Sequence, residues 1–280
     1  ALPILSAARA GESSASGQLA ELIRDTSSPE IARATGLTEL GPALSLQTID
    51  VLPLALSDSD PAVRTAAVSI LDRTPYNVRA RLAFPMLEDP VRMVRIAAAR
   101  VLANIPIGDL DPERRALLTR VGNEYIAAQM ANAERPEAWA NLGNFYAAKR
   151  AWRKAIEVYR KAIETDPVFV PSYTNLADLY RVIGDEANAE KVLQEGLVWN
   201  KDDATIHHTL GLSLVRQGRI DEALIELAIA TGRAINNPRF VYVYAVALNS
   251  TGKTMDAISV LKGAHDQHPN DQNILQALIS

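Results

Sequence analysis

The feature that most restricts how this chain can fold is a 34-residue period. Alanines at 155, 189, 223 and 257 follow one another at that interval without insertion or deletion. Four segments therefore align from residues 136, 170, 204 and 238, and the alignment sorts positions into large and small columns. The large column headed by Trp139 continues as Tyr173, His207 and Val241, and that headed by Leu142 as Leu176, Leu210 and Tyr244. The small columns read Gly143, Ala177, Gly211, Ala245 and Ala162, Gly196, Ala230, Ala264. Two antiparallel helices approach closely only where side chains are small, and a large residue opposite then fills the gap. A fixed period of this length marks a stacked array in which each unit buries its apolar face on the next.

Composition agrees with helices. Among 280 residues there are 44 alanines and 32 leucines, both strong helix formers, against 5% aromatics, and 48% hydrophobic residues supply a core. The net charge of −4 offers no basic lobe, which excludes a nucleic-acid partner; the small cluster Arg79, Arg81, Arg92, Arg95 and Arg100 is expected to be neutralised by neighbours such as Glu88 and Asp89. With zero cysteines the chain itself makes no disulfide, thiolate metal site, thiol nucleophile or covalent haem attachment. Its longest apolar run, Phe240 to Leu248, is far short of the ~18 to 20 residues that cross a bilayer, so no membrane span is expected. A start at Ala1, with no leader pattern ahead of it, reads as a processed product or an excised piece.

Within the first 34-residue segment Trp139, Leu142, Gly143 and Tyr146 open one helix, and Ala155, Tyr159 and Ala162 mark a second before Asp166 and Pro167. This pattern closely resembles the tetratricopeptide repeat (TPR), and the resemblance covers 136–271. Gly184, Gly218 and Gly252 occupy the turn between paired helices, where Arg150 stands in the first segment. Pro167 and Pro269 close the first and fourth segments, while Lys201 and Ile235 fill that slot in the other two. The expected organisation is four repeats, 136–169, 170–203, 204–237 and 238–271, with residues 272–280 as a capping helix over the open end.

The first half follows a different rule. Asp60-Pro61-Ala62-Val63-Arg64 with Ala66 and Ala67 reads as a capped helix start, Asp89-Pro90 with Val94, Arg95, Ala97 and Ala98 comes about 31 residues later, and Ser28-Pro29 with Ile31 and Ala34 about 32 earlier. These strings resemble HEAT-like repeats over residues 1–110, the match being clean only from Asp60 to Ala67, since Asp89-Pro90 is displaced from Val94-Arg95 by two extra residues. Asp111-Pro112-Glu113 then begins a connecting helix within 111–135. The fold class expected is all-α, a right-handed α-α superhelix of HEAT-like helix pairs followed by four TPRs and the capping helix.

The order of segments carries a further likeness. Leu2-Pro3-Ile4, Ile31-Ala32-Arg33-Ala34-Thr35, Asp89-Pro90-Val91-Arg92 with Val94-Arg95-Ile96, Asn132 to Ala138, Asn175 to Tyr180, His207-His208 and Tyr242 to Leu248 together resemble the C-terminal region of bacterial multihaem c-type cytochromes with HEAT-like and TPR repeats. In that family the haems sit in an N-terminal domain with CxxCH motifs. The resemblance implies a haem-free tail of an exported, periplasmic redox protein, with no cofactor in this chain and any haem c upstream of it. A cytoplasmic location is the alternative.

Few residues invite chemistry. Ala247 followed by Gly252-Lys253-Thr254 satisfies a relaxed phosphate-loop pattern, but Gly252 already has a place in the turn column. His265 and His268 share a helical face without the further ligands a metal needs, and His207 stands in the Trp139 column as a packed imidazole. No Ser-His-Asp set or carboxylate pair stands out, so an enzyme is not expected. By TPR resemblance a groove is lined by the second, fifth, sixth, ninth, twelfth and thirteenth repeat positions. These include Asn141, Asn144, Asn175, Asp178, Arg181, His208, Thr209, Arg216, Arg239, Tyr242 and Asn249. Amides there could pair with the backbone of an extended peptide without choosing its side chains. Ala140, Thr205 and Thr209 stand where a cationic carboxylate clamp would need Lys or Arg. The function expected is a non-catalytic scaffold binding a protein or peptide, in an oligomeric state left open; the rival is a substrate-recruiting region attached to a catalytic domain elsewhere.

Overall fold

The computed structural model describes residues 2–9, 15–45, 47–234, 236–269 and 271–279, which leaves Ile235 and Ser280 outside the described residues. Among those described there is no β-strand, in agreement with the all-α expectation. Two units are distinguished, residues 1–131 with 148–150, and 132–147 with 151–280.

The first unit contains α1 (Leu2–Arg9), α2 (Ala15–Arg24), α3 (Glu30–Leu40), α4 (Val51–Leu56), α5 (Pro61–Ile70), α6 (Tyr76–Ala83), α7 (Arg92–Val101) and α8 (Pro112–Met130). Helices α3, α5, α7 and α8 pack successively on one another. Asp60 caps α5 by accepting from the Ala62 and Val63 amides, with Pro61 in the first turn where its missing N–H is harmless. Asp111 caps α8 in the same way through the Arg114 amide. Leu37, Val68 and Ala99, and likewise Leu40, Leu71 and Leu102, are fully buried at steps of 31 residues.

An arginine ladder repeats in the same register. Arg33 pairs with Asp58, Arg64 holds Asp89 at 2.7 and 3.0 Å, and Arg95 holds Glu124 at 2.8 and 3.1 Å. Each guanidinium also donates to carbonyls just ahead of its own helix: Arg33 to Ser28, Arg64 to Asp58 and Ser59, Arg95 to Asp89 and Pro90. Asp89 therefore corresponds to Asp58, which accounts for the two extra residues that separate Asp89-Pro90 from Val94-Arg95. Both accept from the amide two residues on, Asp60 and Val91 respectively, and α7 starts at Arg92 with Val91 as its N-cap. Burial alone would raise the Asp89 carboxyl, but the Arg64 bonds and the Val91 amide bring it below the ordinary carboxylate range. Within the arginine cluster Arg95 pairs with Glu124 and Arg100 with Asp72 at 2.6 Å, acids other than the Glu88 and Asp89 expected.

In the second unit the first helices are α9 (Pro136–Ala148), α11 (Val170–Val182), α13 (Ala204–Arg216) and α15 (Pro238–Ser250). The second helices are α10 (Trp152–Thr165), α12 (Glu186–Trp199), α14 (Ile220–Arg233) and α16 (Thr254–Gln267). Every start and every end recurs at 34 residues, and α17 (Gln272–Ile279) begins where a fifth first helix would. The four period-marking alanines, 155, 189, 223 and 257, are buried where paired helices meet. A Cβ on Gly211 would lie 2.7 Å from Leu227, and one on Gly196 2.9 Å from Tyr173, so the small columns are small because large side chains already fill the space. Helix α17 packs on α15 and α16 and buries Ile274.

Candidate peptide-binding groove

The turn after each first helix fixes how that helix presents its outer face. Gly184, Gly218 and Gly252 have φ of 80°, 76° and 78°, and Arg150 adopts the same left-handed conformation at 55°. The next residue then closes each turn with an identical bond: the amides of Ala151, Asp185, Arg219 and Lys253 donate to the carbonyls of Tyr146, Tyr180, Leu214 and Leu248 at 2.8–3.1 Å.

A second device, invisible in the column alignment, holds the start of each first helix. Trp139 Nε1 donates to the Ala133 carbonyl at 2.7 Å, Tyr173 Oη to the Pro167 carbonyl at 2.8 Å, and His207 Nε2 lies 2.9 Å from the Lys201 carbonyl. The polar tip of one column thus reaches back six residues to the linker in three successive repeats. Val241, fourth in the column, has no donor. His207 is buried as expected, and its Nδ1 meets the Glu226 carboxylate at 2.6 Å.

Of the groove candidates, Asn141, Asn144, Asp178, Arg181, Arg216, Arg239, Tyr242 and Asn249 are exposed and Asn175 and Thr209 half-buried, while Leu142 and Leu176 beside the asparagines are buried. Helical periodicity produces this split between adjacent positions. His208 does not share the outer surface: it is 5% exposed and stacks on Phe240 with ring centroids 4.1 Å apart. Neither of its ring nitrogens has a hydrogen-bond partner among the described residues. Burial foremost, and then the positive charge of Arg239, push its pKa down to about 4.

Much of the polar surface is already bonded within the chain. Asn144 Oδ1 accepts from the Tyr159 hydroxyl at 2.6 Å and Asn249 Oδ1 from the Thr254 hydroxyl at 2.8 Å, so each carboxamide keeps its NH2 to donate. Arg181 pairs with Asp178 at 2.7 Å, Arg216 with Glu186 at 2.5 Å, and the Thr209 hydroxyl donates to the Thr205 carbonyl. Burial works against the Glu186 carboxylate, but bonds from Arg216 and Ser213 hold it below its ordinary value. Arg239 forms no ion pair among the described residues.

Two cavities escaped the sequence reading because they depend on the spacing of three or more elements. One of about 440 Å³ opens between α15, α16 and α17 and includes Tyr242 and Asn249. The other, about 1110 Å³ in the first unit, is lined by Arg81, Arg114 and Arg120 but also by Glu88, Asp109, Asp111 and Glu113, so it presents no single sign of charge. The relaxed phosphate-loop match follows helix α15 and not a strand, which denies it the geometry that aims amides at phosphate. Among the described residues no three His, Asp or Glu side chains group as metal ligands would, and no helix is long and apolar enough to cross a membrane.

Residues 136–167, 158–191 and 208–272 match three tetratricopeptide-repeat family models. The C-terminal half of the chain is therefore built of tetratricopeptide repeats. A relative in Drosophila melanogaster, the BBSome complex member BBS4 homolog, is 30% identical over 134 residues, covering 45% of this chain. The chain spans only 28% of that protein's length. Among solved structures, YrrB, a TPR protein with an unusual peptide-binding site, shares 20% identity at a TM-score of 0.45, covering 68% of this chain and 93% of its own. MamA shares 21% identity at 0.43, covering 49% and 80%.

Proposed function

We propose that this chain is a non-catalytic protein–protein interaction scaffold that receives an extended peptide along the inner wall of the repeat array, formed by exposed positions of the first helices α9, α11, α13 and α15. The observation that carries the reading is the register in which solvent-accessible amides recur beside buried leucines, exposed Asn141 next to Leu142 and half-buried Asn175 next to Leu176. Carboxamides donate and accept, so they serve a peptide backbone irrespective of its side chains. The net charge of −4 supports a protein partner over nucleic acid. In the first unit, the 31-residue arginine ladder supports the reading of residues 1–110 as HEAT-like pairs. By the family likeness of its segment order, we also place the chain in an exported, periplasmic protein as the haem-free partner of a multihaem cytochrome domain. CxxCH motifs in the gene upstream of Ala1 would support that context, and a catalytic domain there would overturn it.

The groove is tested with the double variant Asn141→Ala/Asn175→Ala. Its stability should stay within ~0.5 kcal/mol of the parent, as for most exposed substitutions. Its affinity for a partner recovered by pull-down and measured by calorimetry should fall by ~0.5 to 1.5 kcal/mol for each lost bond. Unchanged affinity in this variant, with loss on altering an outer surface of the second helices, would refute the groove.

A further inference from the structure

We infer that the cavity between α15, α16 and α17 is the anchoring site for that peptide, and that it selects a bulky uncharged side chain, Leu, Phe or Trp in size, next to a carboxylate held by Arg239. The inference rests on the groove reading above and adds to it a sequence preference.

The cavity's floor reaches core residues, Ala245, Ala257 and Leu261, each no more than 4% exposed, while Tyr242 and Val246 stand at its mouth. No residue in the lining is charged. A charged anchor entering here would lose its water without gaining an opposite charge, whereas an apolar one exchanges water for contact. The volume, about 440 Å³, lies within the ~300 to 1,000 Å³ of sites that hold small ligands. It therefore has room for a bulky side chain.

Arg239, Tyr242, Val246 and Asn249 follow at i, i+3, i+7 and i+10 on α15 and form one stripe of its surface. All four are exposed, Val246 by 49%. The equivalent stripe on α13 is exposed only at its first residue, Thr205, for beyond it His208 is buried and Leu212 and Val215 are half-buried. An open apolar strip between polar ends is what distinguishes the fourth repeat.

Charge supplies the second half of the preference. Arg181 and Arg216 on the earlier first helices are each matched by a carboxylate of the chain itself. Arg239 is not, and its uncompensated charge is felt by His208 on the neighbouring first helix. A peptide carboxylate beside the anchor would complete that guanidinium as Asp178 and Glu186 complete the others. Asn273 and Gln276 on α17 bring carboxamides to the same cavity, with no side-chain partner among the described residues, for the peptide backbone.

The test uses the full chain and acetylated, amidated heptapeptides of glycine and serine. They carry one variable anchor (Leu, Phe, Trp, Ser, Lys or Glu) with Asp or Asn on either side, and binding is followed by fluorescence anisotropy. Apolar anchors should bind about tenfold or more tighter than Ser, Lys or Glu. Val246→Asp should abolish that selectivity, and Arg239→Ala should remove the preference for Asp over Asn while sparing selection of the anchor. Both sites are exposed, so an unchanged melting temperature verifies that these variants fold. Equal binding of Lys and Leu anchors, or no binding of any peptide at millimolar concentration, overturns the inference. Indifference to Val246→Asp while Asn141→Ala/Asn175→Ala still weakens a recovered partner overturns it but leaves the groove reading standing. Indifference to both sets of variants removes both. Self-association seen by sedimentation and lost in Val246→Asp would assign the cavity to a second copy of this chain and overturn the peptide.

Discussion

Adding one methyl group at Gly143 should destabilise the second unit, and the repeats themselves show how to restore it. A Cβ built there falls 2.6 Å from Tyr159 Cζ and nearer still to Cδ1 and Cε1. The ring cannot swing aside, because Tyr159 is 2% exposed and its hydroxyl is tied to Asn144 Oδ1 at 2.6 Å. Burial also pushes the phenol above its ordinary pKa, so it remains a neutral donor across the accessible pH range. Overpacking of this kind costs ~1 to 3 kcal/mol, offset by the ~0.5 to 1 kcal/mol gained when Gly leaves a helix interior. A net loss of about 1 to 2 kcal/mol is expected for Gly143→Ala. In the second and fourth repeats the same position is Ala177 or Ala245, and the residue in the Tyr159 column is Leu193 or Leu261. Tyr159→Leu alone should also destabilise, since it leaves a void and frees Asn144. The double variant should lose less than the sum of the two, with a coupling of at least ~1 kcal/mol. Urea titration followed by circular dichroism measures all three. Parent-like stability of Gly143→Ala, or strictly additive losses, would refute the account of paired columns.

Two further outcomes follow from single residues. Arg150→Gly should raise stability by up to ~1 kcal/mol in thermal unfolding, because a left-handed conformation costs a side-chain-bearing residue ~1 to 2 kcal/mol and glycine's extra unfolded-state freedom returns ~0.5 to 1 of it; Gly218→Ala, at φ 76° with open space around it, should lose a similar amount. His208 has a folded pKa near 4 against an ordinary 6.5, so the unfolded chain binds the extra proton between those values. Its contribution is therefore present above pH 6.5 and lost as pH falls toward 4, and His208→Phe should flatten that part of the stability profile in denaturant titrations at a series of pH values.

The 34-residue half of the chain was legible because its constraints are local in register: alanine, glycine and the large columns repeat at one interval, and helix boundaries follow them residue for residue. The burial of His208 was not legible. Its column runs from buried Ala140 through half-buried Thr174 to exposed Tyr242, so position alone does not decide, and the stacking partner Phe240 comes from the next repeat. In the first half the two Asp-Pro pairs stand at different distances from the Val-Arg that follows, and only the contacts of the arginines show why. Asp60 acts as a helix cap, but Asp58 and Asp89 are ion-pair partners, and a sequence shows both kinds of aspartate alike. The cavity beside α17 depends on how far three helices stand apart, which no column encodes.

The arginine ladder also gives the first unit a direction of unravelling. Each link joins one helix to the acid that precedes or lies in the next, so no repeat contains a complete pair. If α5 opened with its leading acid, Arg33 would lose Asp58 and Asp89 would lose Arg64, leaving two buried charges of opposite sign unmatched. Opening α3 or α8 at the ends breaks a single link. Unmatched buried charges are costly, ~3 to 5 kcal/mol when one partner is removed. The unit is thus zipped from its middle outward, and amide exchange should reach α3 and α8 before it reaches α5.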